Sequence, residues 1–296
     1  PPWYLVIGLP IAGACVVVVA RLLLPGDGGH RPLEGIGGGA TPVSHGPGIA
    51  LAAIGTLSFG AVLGPEAPLI ALGSVVGVAV TLFVRLDKRG ETVLGMAGSF
   101  AAISALFGGP IVAGMMMVES GLALGATLLP VLIPGFVAAA VGYVIFTGLG
   151  HWGGLASQSL AVPSLPPYNG TRVYDLLVGV AIGVAVPLVI VAVRRLAEAV
   201  AGYGLDRRRI PGLLLAGGLA VGLIAQVADW MGADSKDVLF SGQAGVPALA
   251  ATGSTEILAI LLVRKALGYA VSLGCGFRGG PIFAAIFIAI AIAEFA

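Results

Sequence analysis

The sequence predicts an all-α, polytopic membrane protein with many tilted and broken helices. Of its 296 residues, 58% are hydrophobic and only 10% are charged, where a soluble domain carries about 25% charged residues. The deficit runs from end to end, with a mean hydropathy of +1.05, so most of the surface faces something other than water. The apolar runs are also interrupted by glycine and proline, at Gly64-Pro65, Gly108-Gly109-Pro110 and Gly279-Gly280-Pro281. Backbone broken at membrane depth leaves N–H and C=O groups that lipid cannot satisfy. It is tolerated only where it is buried in protein or lines a polar cavity, so short, broken helices point to a transporter or channel.

The apolar segments fall at 3–24, 47–63, 66–84, 92–106, 110–124, 126–149, 173–201, 211–230, 237–252, 255–273 and 281–296. Spanning a bilayer takes about 20 residues, and several of these are shorter. The first segment lacks the basic flank and small-residue cleavage site of a signal peptide. The chain opens on PPWYLV without Met and closes on the apolar FAAIFIAIAIAEFA. Residues 1–296 are therefore expected to form a single integral membrane domain, cut at both ends. The 48 glycines suit close helix packing in a membrane.

Basic residues cluster at Arg85, Lys88 and Arg89 and again at Arg194, Arg195 and Arg207–Arg209, while loop 150–171 has none. The positive-inside rule puts both clusters in the cytoplasm and that loop outside. A bacterial inner membrane is the expected location. Asn169-Gly170-Thr171 matches a glycosylation pattern but nothing else in the chain points to a eukaryotic source.

The net charge of +1 offers no basic face for nucleic acid. Cys15 and Cys275 lie far apart in apolar surroundings and read as small buried residues. His30, His45 and His151 are scattered without ligand spacing and read as loop or satisfied histidines. No metal cluster, cofactor motif, Ser/His pair, His-Glu-x-x-His or paired aspartates appear, so the sequence is not expected to be an enzyme or to hold a cofactor.

In "GPEAPLIALGS", residues 64–74, a single glutamate stands between two prolines. Pro65 suits a helix first turn and Pro68 still falls within it, which starts a helix at 66 and runs it to 84. Glu66 then sits where unpaired N–H groups and the helix dipole favour negative charge. A helix N-terminus is also an anion site, so Glu66 reads as a tethered anion in a place a free one could take. Simple N-terminal capping is the other reading. Ionisable residues inside membrane segments are costly and functional by default.

Two more glycine-rich breaks lead into apolar helices. "GIGGGATP", residues 35–42, offers backbone N–H groups and the Thr41 hydroxyl, and "GCGFRGGPIF" covers 274–283. The three breaks are expected to converge on one point and build an anion site from backbone amides. In "FGGPIVAGMMMVES", residues 107–120, the methionines read as lipid-facing or core packing, and Glu119 as a structural acid or part of a proton path. A transporter for organic solutes fits the broken helices too, but it calls for substrate-shaped polar side chains where these breaks have glycine.

Taken in order, "GGGATP", "GPEAP", "FGGPIVAGMMMVES", "SGQAGVPAL" and "GGPIFA" resemble the motifs of the CLC family of chloride channels and proton-coupled chloride antiporters, over essentially the whole chain. The resemblance implies an inverted-repeat architecture, a homodimer with one pore per subunit, and transport of a small inorganic anion, chloride foremost, by a channel or an H+/Cl− antiporter. A fluoride-type exchanger is the alternative within the family. Glu66 falls at the gating glutamate, which competes with the anion and exchanges protons with the outside. Gly64 and Pro65 belong to its loop. Ile282 and Phe283 match the loop whose amides hold the anion, with Pro281 resembling an insertion and Ala285 replacing a proline. Gly39, Ala40 and Thr41 match the first anion-binding loop. Gly39 stands where the family usually has serine, and a shifted alignment lets Thr41 supply the hydroxyl. Glu119 and Ser120 match two acidic positions, the second often the internal proton glutamate, and its replacement by serine implies weak coupling. The family's anion-site tyrosine lies beyond residue 296.

Overall fold

A computed structural model describes residues 1–34, 39–84, 86–121, 128–149, 151–155, 170, 172–204, 207–250 and 254–295. Among them, regular structure is helical, with isolated antiparallel bridges at Gly64–Gly280 and Leu149–Trp152. The helices are α1 Trp3–Leu23, α2 Gly46–Leu57, α3 Glu66–Val84, α4 Lys88–Phe107, α5 Pro110–Gly121, α6 Leu128–Thr147, α7 Val173–Ala201, α8 Ile210–Trp230, α9 Ser235–Val238, α10 Val246–Ala250, α11 Thr255–Gly274 and α12 Ile282–Ala293. Arg85 and most of loop 150–171, including Asn169 and Thr171, lie outside the described residues.

Helix ends follow local chemistry. The α3 helix takes the expected 66–84 bounds. The α4 helix starts four residues before its apolar run because the Asp87 carboxylate accepts from the Gly90 N–H at 2.9 Å, and it stops at Gly108, which takes φ 81°. Ser254 caps α11, and Asp175 caps α7 by accepting from the Arg172 N–H at 2.7 Å. The apolar run 237–252 is not one helix. Phe240 and Gly242 take φ 60° and 86°, and carbonyls there turn toward a buried lysine, so the run divides into α9, a turn and α10.

Seven described helices are long and apolar enough to cross a membrane, and the chain is an integral membrane protein. Small residues let the helices close on one another. A Cβ on Gly77 or Gly98 would strike the backbone of the partner helix across the α3–α4 contact, and Gly218 and Gly222 meet the α1 backbone at Pro10 and Ile7. One core joins α1, α8, α11 and α12 around Leu214, Phe277 and Phe287. A second joins Ile70, Met96, Phe100 and Ile103 to Met117 and Val131 of α5 and α6. The methionine run is split accordingly, with Met117 buried and Met115 facing outward. On α7, Leu176, Leu177, Val180, Val184 and Leu188 are exposed, an apolar outer face suited to lipid.

Candidate functional site

The α3 and α12 N-termini face each other. Gly64 and Gly280 exchange backbone hydrogen bonds, N–H to O at 2.8 and 2.6 Å, which fixes the two breaks together just before each helix begins. A Cβ at either glycine would run into the Glu66 carboxyl, so this approach needs glycine on both sides.

Glu66 is fully buried, at 0% exposure. Its Oε1 accepts from the Phe283 N–H at 3.2 Å and, by a shorter bond, from the Ile282 N–H. These are donors of the α12 first turn that the helix itself leaves unpaired. Its Oε2 is buried with no hydrogen-bond partner among the described residues. The Phe283 ring stacks on Phe107 at the α4 C-terminus, centroids 5.6 Å apart. A carboxylate is thus held by oriented backbone amides at a helix N-terminus, a donor set that accepts negative charge of any small size.

A ridge on α11 positions this meeting point. Lys265, Tyr269 and Ser272 recur at helical spacing, four and three residues apart, on one face. The Lys265 ammonium, at 0% exposure, donates to the carbonyls of Asp237, Leu239 and Phe240 at 2.9, 3.1 and 3.1 Å and lies 4.6 Å from the Phe287 ring centre. The Tyr269 hydroxyl donates to the Pro281 carbonyl at 2.8 Å, one residue before Ile282. The Ser272 hydroxyl accepts from the Val62 N–H at 3.0 Å, and the Phe240 N–H donates to the Gly60 carbonyl at 3.2 Å. The ridge therefore holds the strand-like segments before both α3 and α12. Read as an apolar run, α11 hid these residues. The signal was a lysine inside a membrane segment, which is costly unless it has a task.

A second clamp sits beside the 274–283 loop. Asp27 accepts from Arg21 at 2.9 and 3.1 Å and from Arg278, whose Nε also donates to the Asp27 carbonyl at 2.9 Å. The Gly276 carbonyl accepts from Arg21 at 3.1 Å. Burial pushes the Asp27 carboxyl up, but the Arg21 hydrogen bond and the charges of Arg278, Arg21 and Arg31 hold it below its ordinary value.

The third break does not join the other two at Glu66. The Thr41 N–H donates to the Ser74 hydroxyl at 3.0 Å, and that hydroxyl lies 3.5 Å from the Gly39 carbonyl. Ser74 is eight residues along α3, roughly 12 Å from its start. Gly39, Ala40 and Thr41 instead wall a cavity of about 310 Å3 that reaches back to Ala67, the neighbour of Glu66. Gly28 and Gly29 come nearer, lining a small space with Ala67, Arg278 and Gly279. Residues 35–38 of this break lie outside the described residues. Glu119 is exposed on α5, which packs on α4 and α6, and the Ser120 side chain lies outside the described residues. His30 lies in the connection after α1, a loop histidine as expected, and its Nε2 is buried without a partner among the described residues; of the two cysteines expected to be buried, Cys275 is buried and Cys15 is exposed.

The sequence pattern of the family described as "Voltage gated chloride channel" matches residues 3–295. The chain belongs to this family. Family relatives include the "Putative ion-transport protein YfeO" of Escherichia coli strain SMS-3-5, 28% identical over 302 residues, which cover 98% of this chain and 67% of the relative. The YfeO of Shigella boydii serotype 4 is similar to the same extent. Among solved structures, a slow cyanobacterial Cl−/H+ antiporter aligns with a TM-score of 0.71 at 16% identity, over 100% of this chain and 70% of the other. A CLC-type fluoride/proton antiporter aligns with a TM-score of 0.63 at 22% identity, over 96% and 69%. At these identities the structural likeness shows the fold alone.

Proposed function

We propose that this protein carries a small inorganic anion, chloride foremost, across a membrane, and that Glu66 gates the path. The observation behind this reading is the single Glu66 oxygen received by the Ile282 and Phe283 amides. A free anion fits the same donors, so carboxylate and anion compete for one place. Gly64 and Pro65 shape the loop that presents Glu66, while Gly39, Ala40 and Thr41 wall the cavity on its flank. The names of the relatives, an ion-transport protein and antiporters of chloride or fluoride with protons, support the same class. In this reading a proton from outside neutralises Glu66 and releases it, and Glu119 and Ser120 sit on the internal proton route. The exposed apolar faces of α6 and α7 meet lipid and a second copy in a homodimer, in a bacterial inner membrane.

The test is anion flux into liposomes with chloride, fluoride and nitrate compared. Glu66→Ala should raise passive flux and remove its dependence on external pH; flux that still tracks external pH as in the wild type overturns the gate. A chloride gradient that drives protons marks an antiporter, and one that drives none marks a channel.

A further inference from the structure

We propose that an anionic phospholipid docks where the ends of α1, α7 and α11 meet the start of α8, its headgroup phosphate held by Arg31, Arg207 and Arg209. This is the end of the bundle that the positive-inside rule assigns to the cytoplasm. Docking there does not depend on the anion reading of Glu66. The helix ends leave a cavity of about 130 Å3, lined by Arg21 of α1, Ala201 of α7, Ile210 of α8 and Leu273 of α11. Arg31 and Arg278 add two more positive charges to its wall, against Glu34 as the one carboxylate of the described lining. These charges are unevenly committed. Arg21 and Arg278 are buried and bound to Asp27. Arg31 reaches Glu34 only at 3.9 Å, beyond hydrogen-bonding distance, with more than half of its side chain exposed.

Directly before Ile210, Arg207–Arg209 form an exposed turn. Neither Arg207 nor Arg209 enters an ion pair among the described residues, and Asp206 lies outside them. Helix stability does not explain this run. Positive charge at a helix N-terminus opposes the dipole, and α8 starts there without a side-chain cap or an acid in its first turn. Arg195, strongly exposed and 3.9 Å from Glu198, extends the patch onto α7.

The apolar half of the site is α7 itself. Leu188, Val191 and Leu196 are exposed on it, leading away from the arginines. A ligand that fits both halves carries negative charge at one end and hydrocarbon at the other. Phosphate accepts from guanidinium bidentately, basic side chains at inner helix ends gather anionic headgroups, and acyl chains cover the exposed α7 face. Inorganic phosphate satisfies the charged half alone. Lys88 and Arg89 at the start of α4 are the contrast. The positive-inside rule puts them on the same side, but Asp87 and Glu91 stand beside them.

The experiment titrates dioleoyl phosphatidylglycerol into the delipidated protein in neutral detergent, with dioleoyl phosphatidylcholine and inorganic phosphate as separate arms. Native mass spectrometry reads bound lipid, and the melting temperature reads stabilisation. Each basic side chain beside an anionic headgroup is worth about fivefold in affinity. The wild type should therefore prefer phosphatidylglycerol to phosphatidylcholine about 100-fold, for three arginines, and melt higher with it. Arg207→Gln combined with Arg209→Gln should weaken phosphatidylglycerol about 25-fold, and Arg31→Gln about fivefold, with phosphatidylcholine binding unchanged in both. Lys88→Gln combined with Arg89→Gln should leave the preference intact. An equal loss in that pair means diffuse surface charge and overturns the site, as does wild-type affinity retained in the Arg207 and Arg209 variant. Equal affinity for the two lipids, or a melting-temperature rise with inorganic phosphate that matches the lipid's, overturns the phospholipid as its occupant.

Discussion

Glu66→Gln separates a gate from a structural cap. The substitution keeps the shape of the side chain and an oxygen for the Ile282 and Phe283 amides, but it removes the charge. Hydrogen bonds to a charged group contribute about 1.5–3 kcal/mol each and neutral ones about 0.5–1.5. Two bonds weakened in this way amount to about 2–3 kcal/mol less hold on the α12 N-terminus. If the side chain competes with a free anion, that loss becomes the anion's gain, about 30- to 150-fold in affinity at tenfold per 1.4 kcal/mol. Titrating chloride into wild type and Glu66→Gln at one pH reads the gain, and denaturant unfolding of the same samples reads stability. A competitor gives tighter chloride binding, and chloride then restores stability. A cap gives about 2–3 kcal/mol of lost stability with unchanged chloride affinity, and that result refutes the competition argument.

Three further predictions address the supports of this site. Gly64→Ala places a methyl group against the Glu66 carboxyl, which is the movable end of a side chain, so the fold should persist while passive flux rises as in Glu66→Ala. Liposome flux checks it, and wild-type flux would contradict it. Tyr269→Phe leaves the Pro281 carbonyl without its donor and should cost about 1 kcal/mol of stability, together with weaker chloride binding in the Glu66→Ala background. Unchanged values for both would remove Tyr269 from the positioning ridge. Because the arginines depress the Asp27 carboxyl in the folded state, its contribution is present above the ordinary aspartate value of 3.8 and lost as pH falls through the lower folded value. Melting temperature followed against pH should therefore fall more steeply in that acid range for the wild type than for Asp27→Asn.

Much of the helix plan was legible because glycine and proline punctuate it. Pro65 and Pro68 fix the start of α3, and the local physics of a helix N-terminus already made Glu66 a tethered anion. Its partners could be named only through the motif, because Ile282 lies 216 positions away in the chain and periodicity says nothing about such pairs. Lys265 and Tyr269 were hidden for the opposite reason. They sit inside a run apolar enough to be taken whole as a span, and their carbonyl partners are backbone groups with no sequence signature. The run 237–252 misled in the same way: its hydrophobicity is continuous, but the positive φ of Phe240 and Gly242 interrupts the helix there, and the carbonyls of Asp237, Leu239 and Phe240 turn to Lys265. The break at 35–42 showed the limit of motif order, since Gly39–Thr41 hold the motif's place in the chain, with glycine where it usually has serine, yet meet α3 at Ser74, two turns past its start.

The paired hydrogen bonds between Gly64 and Gly280 restrict how the site can move. They tie the loop that carries the carboxylate to the loop that carries its two amides, so neither can withdraw without the other. If Glu66 gates the path as proposed, its release should be a torsion about its own side-chain bonds, with the paired loops held together. Such a step displaces almost no volume against the surrounding bilayer. Its rate should then be nearly indifferent to lipid thickness and viscosity, unlike a transporter that rocks one bundle against another to turn a site from one side of the membrane to the other.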